Sequence, residues 1–147
     1  MPDSSDIDAA LIAKLQGDAT LAALAAAAPP AAFVFWDDEA PAGVTKFISV
    51  SLVDEEDGTI FEGTAHEDTL YLVKWVELSN TVKNAKAAAA RIQALLHLGT
   101  LTIAGYSLMV MRRRSRIRMA EPFGTDSALD WYHRGGRYQV MVAPIGT

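Results

Sequence analysis

The sequence predicts an α+β fold: an antiparallel sheet of about four to five strands with a long helix packed on one face, an N-terminal helix and an extended C-terminal β-hairpin arm. Three observations carry this expectation. Residues 79–99 repeat apolar side chains at three- and four-residue steps. Residues 46–53 and 68–77 alternate, as half-buried strands do. Residues 106–119 and 131–143 alternate again after the helix and make a natural antiparallel pair.

The chain of 147 residues suits a single domain, residues 1–147. Its first helices are expected within 6–28. Ile7, Leu11, Ile12 and Leu15 lie on one side of a first segment that follows a capping-rich run and stops at Gly17. Asp18 then caps a second, alanine-rich segment that Pro29 and Pro30 end. Residues 33–36 form a short apolar run that reads as a first strand, and the acidic, Pro- and Gly-bearing run after it reads as a loop.

In residues 46–53, Ile48, Val50 and Leu52 alternate with Phe47, Ser49 and Ser51. Residues 68–77 place Leu70, Leu72 and Val76 on one face and Tyr71, Val73 and Trp75 on the other, which predicts a central strand. The polar segment between them, 54–67, is too long for a tight turn and is expected to project as a loop. The helix 80–98 carries its own boundaries: Ser79 and Thr81 can accept N–H groups at its start, and Gly99 supplies a left-handed stop. Val82, Ala85, Ala89, Ile92, Leu95, Leu96 and Leu98 give it an apolar side, and the alanines at 87–90 permit close packing on a sheet or on another copy.

Strands are then expected at 100–119 and 131–143. In the former, Tyr106, Leu108 and Val110 are followed at the same period by Arg112, Arg114, Arg116 and Arg118, so one face turns from apolar to basic. In the latter, Tyr138, Val140 and Val142 alternate, and Gly135-Gly136 allows a bulge or bend. The pair reads as an arm, core at its base and polar at its tip, shaped to reach a neighbouring subunit.

Composition narrows the function classes. The absence of cysteine excludes disulfides, thiolate metal sites and cysteine nucleophiles, and a formal net charge of −5 argues against a general nucleic-acid binder. No apolar run approaches the roughly 20 residues of a membrane span, and the acidic start is unlike a signal peptide. Asp54, Glu55, Glu56 and Asp57 lack the alternating spacing of a calcium loop and read as a solvated hairpin tip; facing DNA, the same acids would repel phosphates. His66, His97 and His133 have no metal-ligand spacing, and His97 in the last helical turn suits the helix dipole as a positive or donor group. Ser107, Ser115 and Ser127 lack a nucleophile-elbow context, and no phosphate-binding glycine motif is present. No catalytic residue, metal site or cofactor is expected. Arg112, Arg113, Arg114, Arg116 and Arg118 would repel one another unless acids answer them, which sets subunit contact through an adjacent copy's acids beside the plainer reading of a charge-protected edge strand.

The succession of the first helix, the 35–41 loop FWDDEAP, VSLVDEEDG, EDTLYLVKWV, the alanine-rich helix ending LLHLGTLTI, YSLMVMRRRSRIR and HRGGRYQVMV resembles the tail-completion, or tail terminator, proteins of long-tailed bacteriophages. The resemblance runs over about residues 8–144, and the 25–32 connector and the 121–130 loop are less family-like. It implies a virion protein, made in the host cytoplasm, that closes into a homo-hexameric ring at the head-proximal end of the tail. Such a ring caps the tail tube protein, stops its polymerisation and offers a head-tail joining surface to a head connector or neck protein. DNA passes through its lumen without sequence-specific binding, and no membrane is involved. On this reading Arg112, Arg114, Arg116 and Arg118 lie at a subunit or partner interface, and Asp54, Glu55, Glu56 and Asp57 face the lumen or tube. The alternative is a nucleic-acid-binding module using the basic strand 112–118.

Overall fold

The computed structural model describes residues 5–26, 31–37, 39–60, 63–124 and 128–145, with the side chains of 56–60 and 63–65 outside the description. The order of elements is α1 (Ser5–Gln16), α2 (Ala19–Leu24), β1 (Val34–Trp36), β2 (Lys46–Ile60), β3 (Gly63–Ser79), α3 (Lys83–Leu96), β4 (Tyr106–Pro122) and β5 (Asp130–Pro144). The strands form one mixed sheet ordered β1-β2-β3-β5-β4.

Asp18 does cap α2, accepting the N–H of Leu21 at 3.0 Å. The helix is shorter than expected: it ends at Leu24, and Ala26 takes a positive φ of 54°. Pro29 and Pro30, read as its stop, lie outside the described residues. The sheet is not wholly antiparallel, because β1 runs parallel to β2 with Val34 opposite Ile48. A three-residue strand carries no directional signal in its side chains. Its direction is set by Asp37, whose φ of 50° turns the chain while its N–H bonds to the Val50 carbonyl.

The segment 54–67 is not a loop. β2 and β3 continue through it as an antiparallel ladder from Lys46 opposite Glu77 to Ile60 opposite Gly63, with irregularities at Leu52/Asp54 and Gly58/Thr59. Past Val50 the outer side of β2 has no neighbouring strand among the described residues, and Leu52, Val53, Asp54 and Glu55 are exposed, so the periodicity that marks its buried half fades there. β5 pairs with β3 only as far as Glu67, and β1 covers only Ile48 to Val50. The projecting arm is therefore the β2–β3 hairpin.

The C-terminal hairpin is correspondingly no free arm. β5 lies between two partners along its length, pairing with β3 from Val142 to Asp130 and with β4 from Pro144 to Asp130. Gly135 and Gly136 are needed for this double flanking: a Cβ on Gly135 would stand 2.1 Å from the Val73 carbonyl oxygen, and one on Gly136 2.6 Å from that of Ser115. Residues 100–105 stay outside the strands apart from an isolated bridge between Ile103 and Tyr106.

One apolar core joins the helices to the sheet. Ile7, Leu11 and Leu15 of α1, Leu21 of α2 and Ala85, Ala88, Ile92 and Leu96 of α3 cluster with Ile48, Val50, Tyr71, Val73, Trp75, Tyr138, Val140 and Val142. Alanine at 85 and 88 brings the backbone of α3 close to β3 and β5, which it contacts. The other face of β3 is less covered, with Leu70 and Leu72 half-buried.

Both edges of the sheet are capped by side chains at helix ends. Gln16, the last residue of α1, accepts the N–H groups of Phe33 and Val34 at 3.0 and 3.1 Å through Oε1 and donates to the Ala31 carbonyl through Nε2. On β4, His97 Nδ1 accepts the Arg113 N–H at 3.1 Å and the Leu98 N–H donates to the Met111 carbonyl at 2.7 Å. His97 is thus an acceptor for an edge strand, not the donor at the helix terminus that its position suggests.

Candidate functional site

The arginine-rich part of β4 is the densest charge in the chain, and its geometry is governed by two bulges. Register shifts fall between Leu108 and Val110 and between Arg113 and Ser115. Each shift moves the following residues to the opposite face, so the even-numbered basic face read from the sequence does not form. Met111 takes the buried position that alternation gives to Val110 or Arg112. The four sequence-singled arginines divide into two pairs.

Arg112 and Arg114 sit on the side of Gln139. Arg112 Nε donates to Gln139 Oε1 at 2.9 Å and Arg114 donates to the same oxygen at 3.3 Å. The amide nitrogen of Gln139 in turn donates to both carboxylate oxygens of Asp68, at 2.8 and 2.9 Å. The acid that answers this pair therefore lies within the same chain, relayed through an amide that is only 7% exposed. Asp54, Asp68, Arg114, Ser115, Arg137 and Gln139 line one depression here, a mixed-charge surface.

Arg113, Arg116 and Arg118 line the other site, a cleft of about 320 Å³ between α3 and the β4–β5 hairpin. Lys86 on α3 and Arg134 on β5 complete its cationic lining. Its α3 wall is Ala89, Ala90 and Gln93, small enough at two positions to leave the space open. Arg113 is held by Gln93 Oε1 at 2.8 Å, and its aliphatic stem crosses β5 where Gly136 has no side chain. Burial pushes the Tyr138 phenol up to about 12, against the opposing pull of the Arg113 guanidinium beside it. No carboxylate lines this cleft among the described residues.

The acidic run is placed on β2, not at a hairpin tip. Asp54 and Glu55 stand opposite Leu70 and Thr69, and the backbone of Glu56 and Asp57 stands opposite Asp68 and Glu67; the side chains of 56 and 57 lie outside the described residues. Asp54 shares a depression with Arg114, whereas Glu55 is exposed on the open edge of β2. The three histidines are not brought together: His66 is on the arm, His97 caps β4, and His133 Nε2 pairs with Glu121 at 2.9 Å. Ser107 and Ser115 lie on β4, and Ser127 is outside the described residues. Among the described residues no group of three or more His, Asp or Glu side chains is placed to hold a metal ion, and no helix is long and apolar enough to cross a membrane.

Sequence reasoning missed Lys86, Arg134, Gln139 and Asp68. Each is an ordinary polar residue in an alternating or helical pattern; the pairing of β5 with both β3 and β4 brings Arg134, Gln139 and Asp68 to the arginines, and the packing of α3 on β5 and β4 brings Lys86.

The fold has solved counterparts. A chain of the virion of a native gene transfer agent particle superposes with a TM-score of 0.65 at 21% identity, covering 95% of this chain and 96% of its own. A second solved chain superposes with a TM-score of 0.56 at 15% identity over 99% and 97%. At these identities the likeness is one of fold. No protein-family model matches the sequence, and no curated protein matches it.

Proposed function

We propose that this chain is a structural virion protein of the tail terminator type, acting as a single folded unit without catalysis. Six copies close into a ring at the head-proximal end of a tail tube. The ring stops tube polymerisation, offers a joining surface to a head connector or neck protein and lets DNA pass through its lumen. The observation that carries this reading is the near full-length likeness of fold to a chain of a gene transfer agent virion, together with the family resemblance of the sequence along the same span. The two-sided charge of the β4 region and the acidic 54–57 stretch of β2 supply distinct patches, as a closed head-to-tail ring requires. On this reading Arg112 and Arg114 face one partner, Arg116 and Arg118 another, and residues 54–57 face the lumen or the tube.

A nucleic-acid-binding module using strand 112–118 is supported less. The bulge at Arg113/Ser115 divides the cations between two faces, and Gln139 engages two of them.

Native mass at low and high salt, followed by electron microscopy of the protein mixed with tail tubes, tests the proposal. A six-chain species, or rings seated on one end of the tubes, is expected. A monomer that binds no tube end, or duplex DNA binding by a monomer that falls steeply with salt, overturns it.

A further inference from the structure

The cleft between α3 and the β4–β5 hairpin is cationic from three elements and answered by none of the described residues. Lys86, Arg116, Arg118 and Arg134 line it, and among the described residues no hydrogen bond or ion pair engages these four side chains. Arg113, the fifth cation, is tied only to neutral groups, Gln93 and Tyr138. Like charges held this close repel one another, and the arrangement is stabilised when a carboxylate-bearing segment enters. The alanine wall at Ala89 and Ala90 leaves room for a peptide backbone beside the helix.

The geometry points to the acidic open edge of β2, residues 54–57, in a second copy as the occupant of this cleft, an inference that rests on the ring reading above. Four successive acids, Asp54 to Asp57, lie on β2 opposite Leu70 to Glu67, where β3 still pairs with β5 but β2, past its contact with β1, has no neighbour on its outer side among the described residues. Glu55 lies on the same side of the sheet as the helices, since its register partner Thr69 alternates with the core residues Tyr71 and Val73. Acidic edge and cleft sit towards opposite sides of the sheet, with β2 beside β1 and the cleft at β4. An acidic edge and a cationic cleft on opposite sides of one subunit pair head-to-tail between subunits, and that contact repeats around a ring. Arginine suits this contact because its planar fork binds carboxylates in pairs. A phosphate backbone is the poorer fit for a chain of net charge −5.

The chain has no cysteine, so single cysteines can be placed without background. Glu55→Cys and Arg118→Cys chains are mixed, assembled in solution or on tail tubes, and treated with a short bismaleimide. A mixed dimer carrying one chain of each kind is expected, with at least a fivefold excess over either homodimer, and Arg116→Glu in the Arg118→Cys chain should abolish it. Rings that form normally but give no mixed dimer overturn the inference and leave the ring reading standing. Failure of every variant and of the unmodified protein to assemble overturns both. Intact rings whose DNA binding is lost on Arg116→Glu/Arg118→Glu assign the cleft to nucleic acid and also overturn it.

Discussion

His97 Nδ1 lies 3.1 Å from the backbone nitrogen of Arg113 and accepts its proton, so a residue that closes a helix also covers the open edge of β4. The ring nitrogen replaces a neighbouring strand at that point. His97→Phe keeps the ring and removes the acceptor. It should cost about 0.5–1.5 kcal/mol in urea unfolding, and hydrogen exchange should accelerate at the Arg113 amide while the amides of β3 keep their protection. Unchanged exchange at Arg113 would refute this role.

The turn that follows distinguishes two adjacent residues. Leu98, 70% exposed, takes the left-handed φ of 57°, while Gly99 is needed because a Cβ there would stand 2.1 Å from the Leu95 carbonyl oxygen. Leu98→Gly relieves the left-handed strain and should stabilise by about 0.5–1 kcal/mol. Gly99→Ala should destabilise by about 1–3 kcal/mol through overlap with that carbonyl. Thermal melts of the two variants should move in opposite directions. The same sign for both would sink this assignment.

Asp18 joins α2 to α3, capping the former and gripping Arg91 of the latter at 2.6 and 3.0 Å. The Arg91 guanidinium holds the Asp18 carboxyl below its ordinary value of 3.8, against the opposing effect of burial. A depressed folded-state value means that the stability it contributes is present above the unfolded value and disappears as pH falls through the folded one. Asp18→Asn keeps a capping oxygen and removes the charge. Its deficit against the parent should be full at pH 7 and close as pH drops below about 4, as read from melts across that range. Asp18→Ala should lose the cap as well, about 0.5–2 kcal/mol.

Glu77 is 1% exposed, and neither of its carboxylate oxygens has a hydrogen-bond partner among the described residues. Burying an unsatisfied polar group costs free energy that an apolar side chain of similar length avoids. Glu77→Met should therefore raise stability by about 1–3 kcal/mol, measured by denaturant unfolding at pH 7. A loss of stability would mean that the carboxylate has a partner in solution.

The sequence by itself determined the kinds of element and most of their places. Alternation at Ile48, Val50, Tyr71, Val73 and Trp75 marks strands because one face meets an apolar core, and the spacing of Ala85, Ile92 and Leu96 marks a helix for the same reason. Asp18 as a cap was legible because capping is local. The tertiary structure alone decided what depends on partners distant in the chain. It set β1 parallel to β2, made β2–β3 the projecting arm and built β5 into the middle of the sheet. It also broke the arginine stripe. A bulge leaves no mark in a run of similar residues, yet it sends Arg112 and Arg114 to Gln139 and Asp68 and turns Arg116 and Arg118 towards Lys86 and Arg134. Periodicity reports burial against a core, and where a strand leaves the core, its register is fixed by backbone hydrogen bonds that side-chain pattern does not encode.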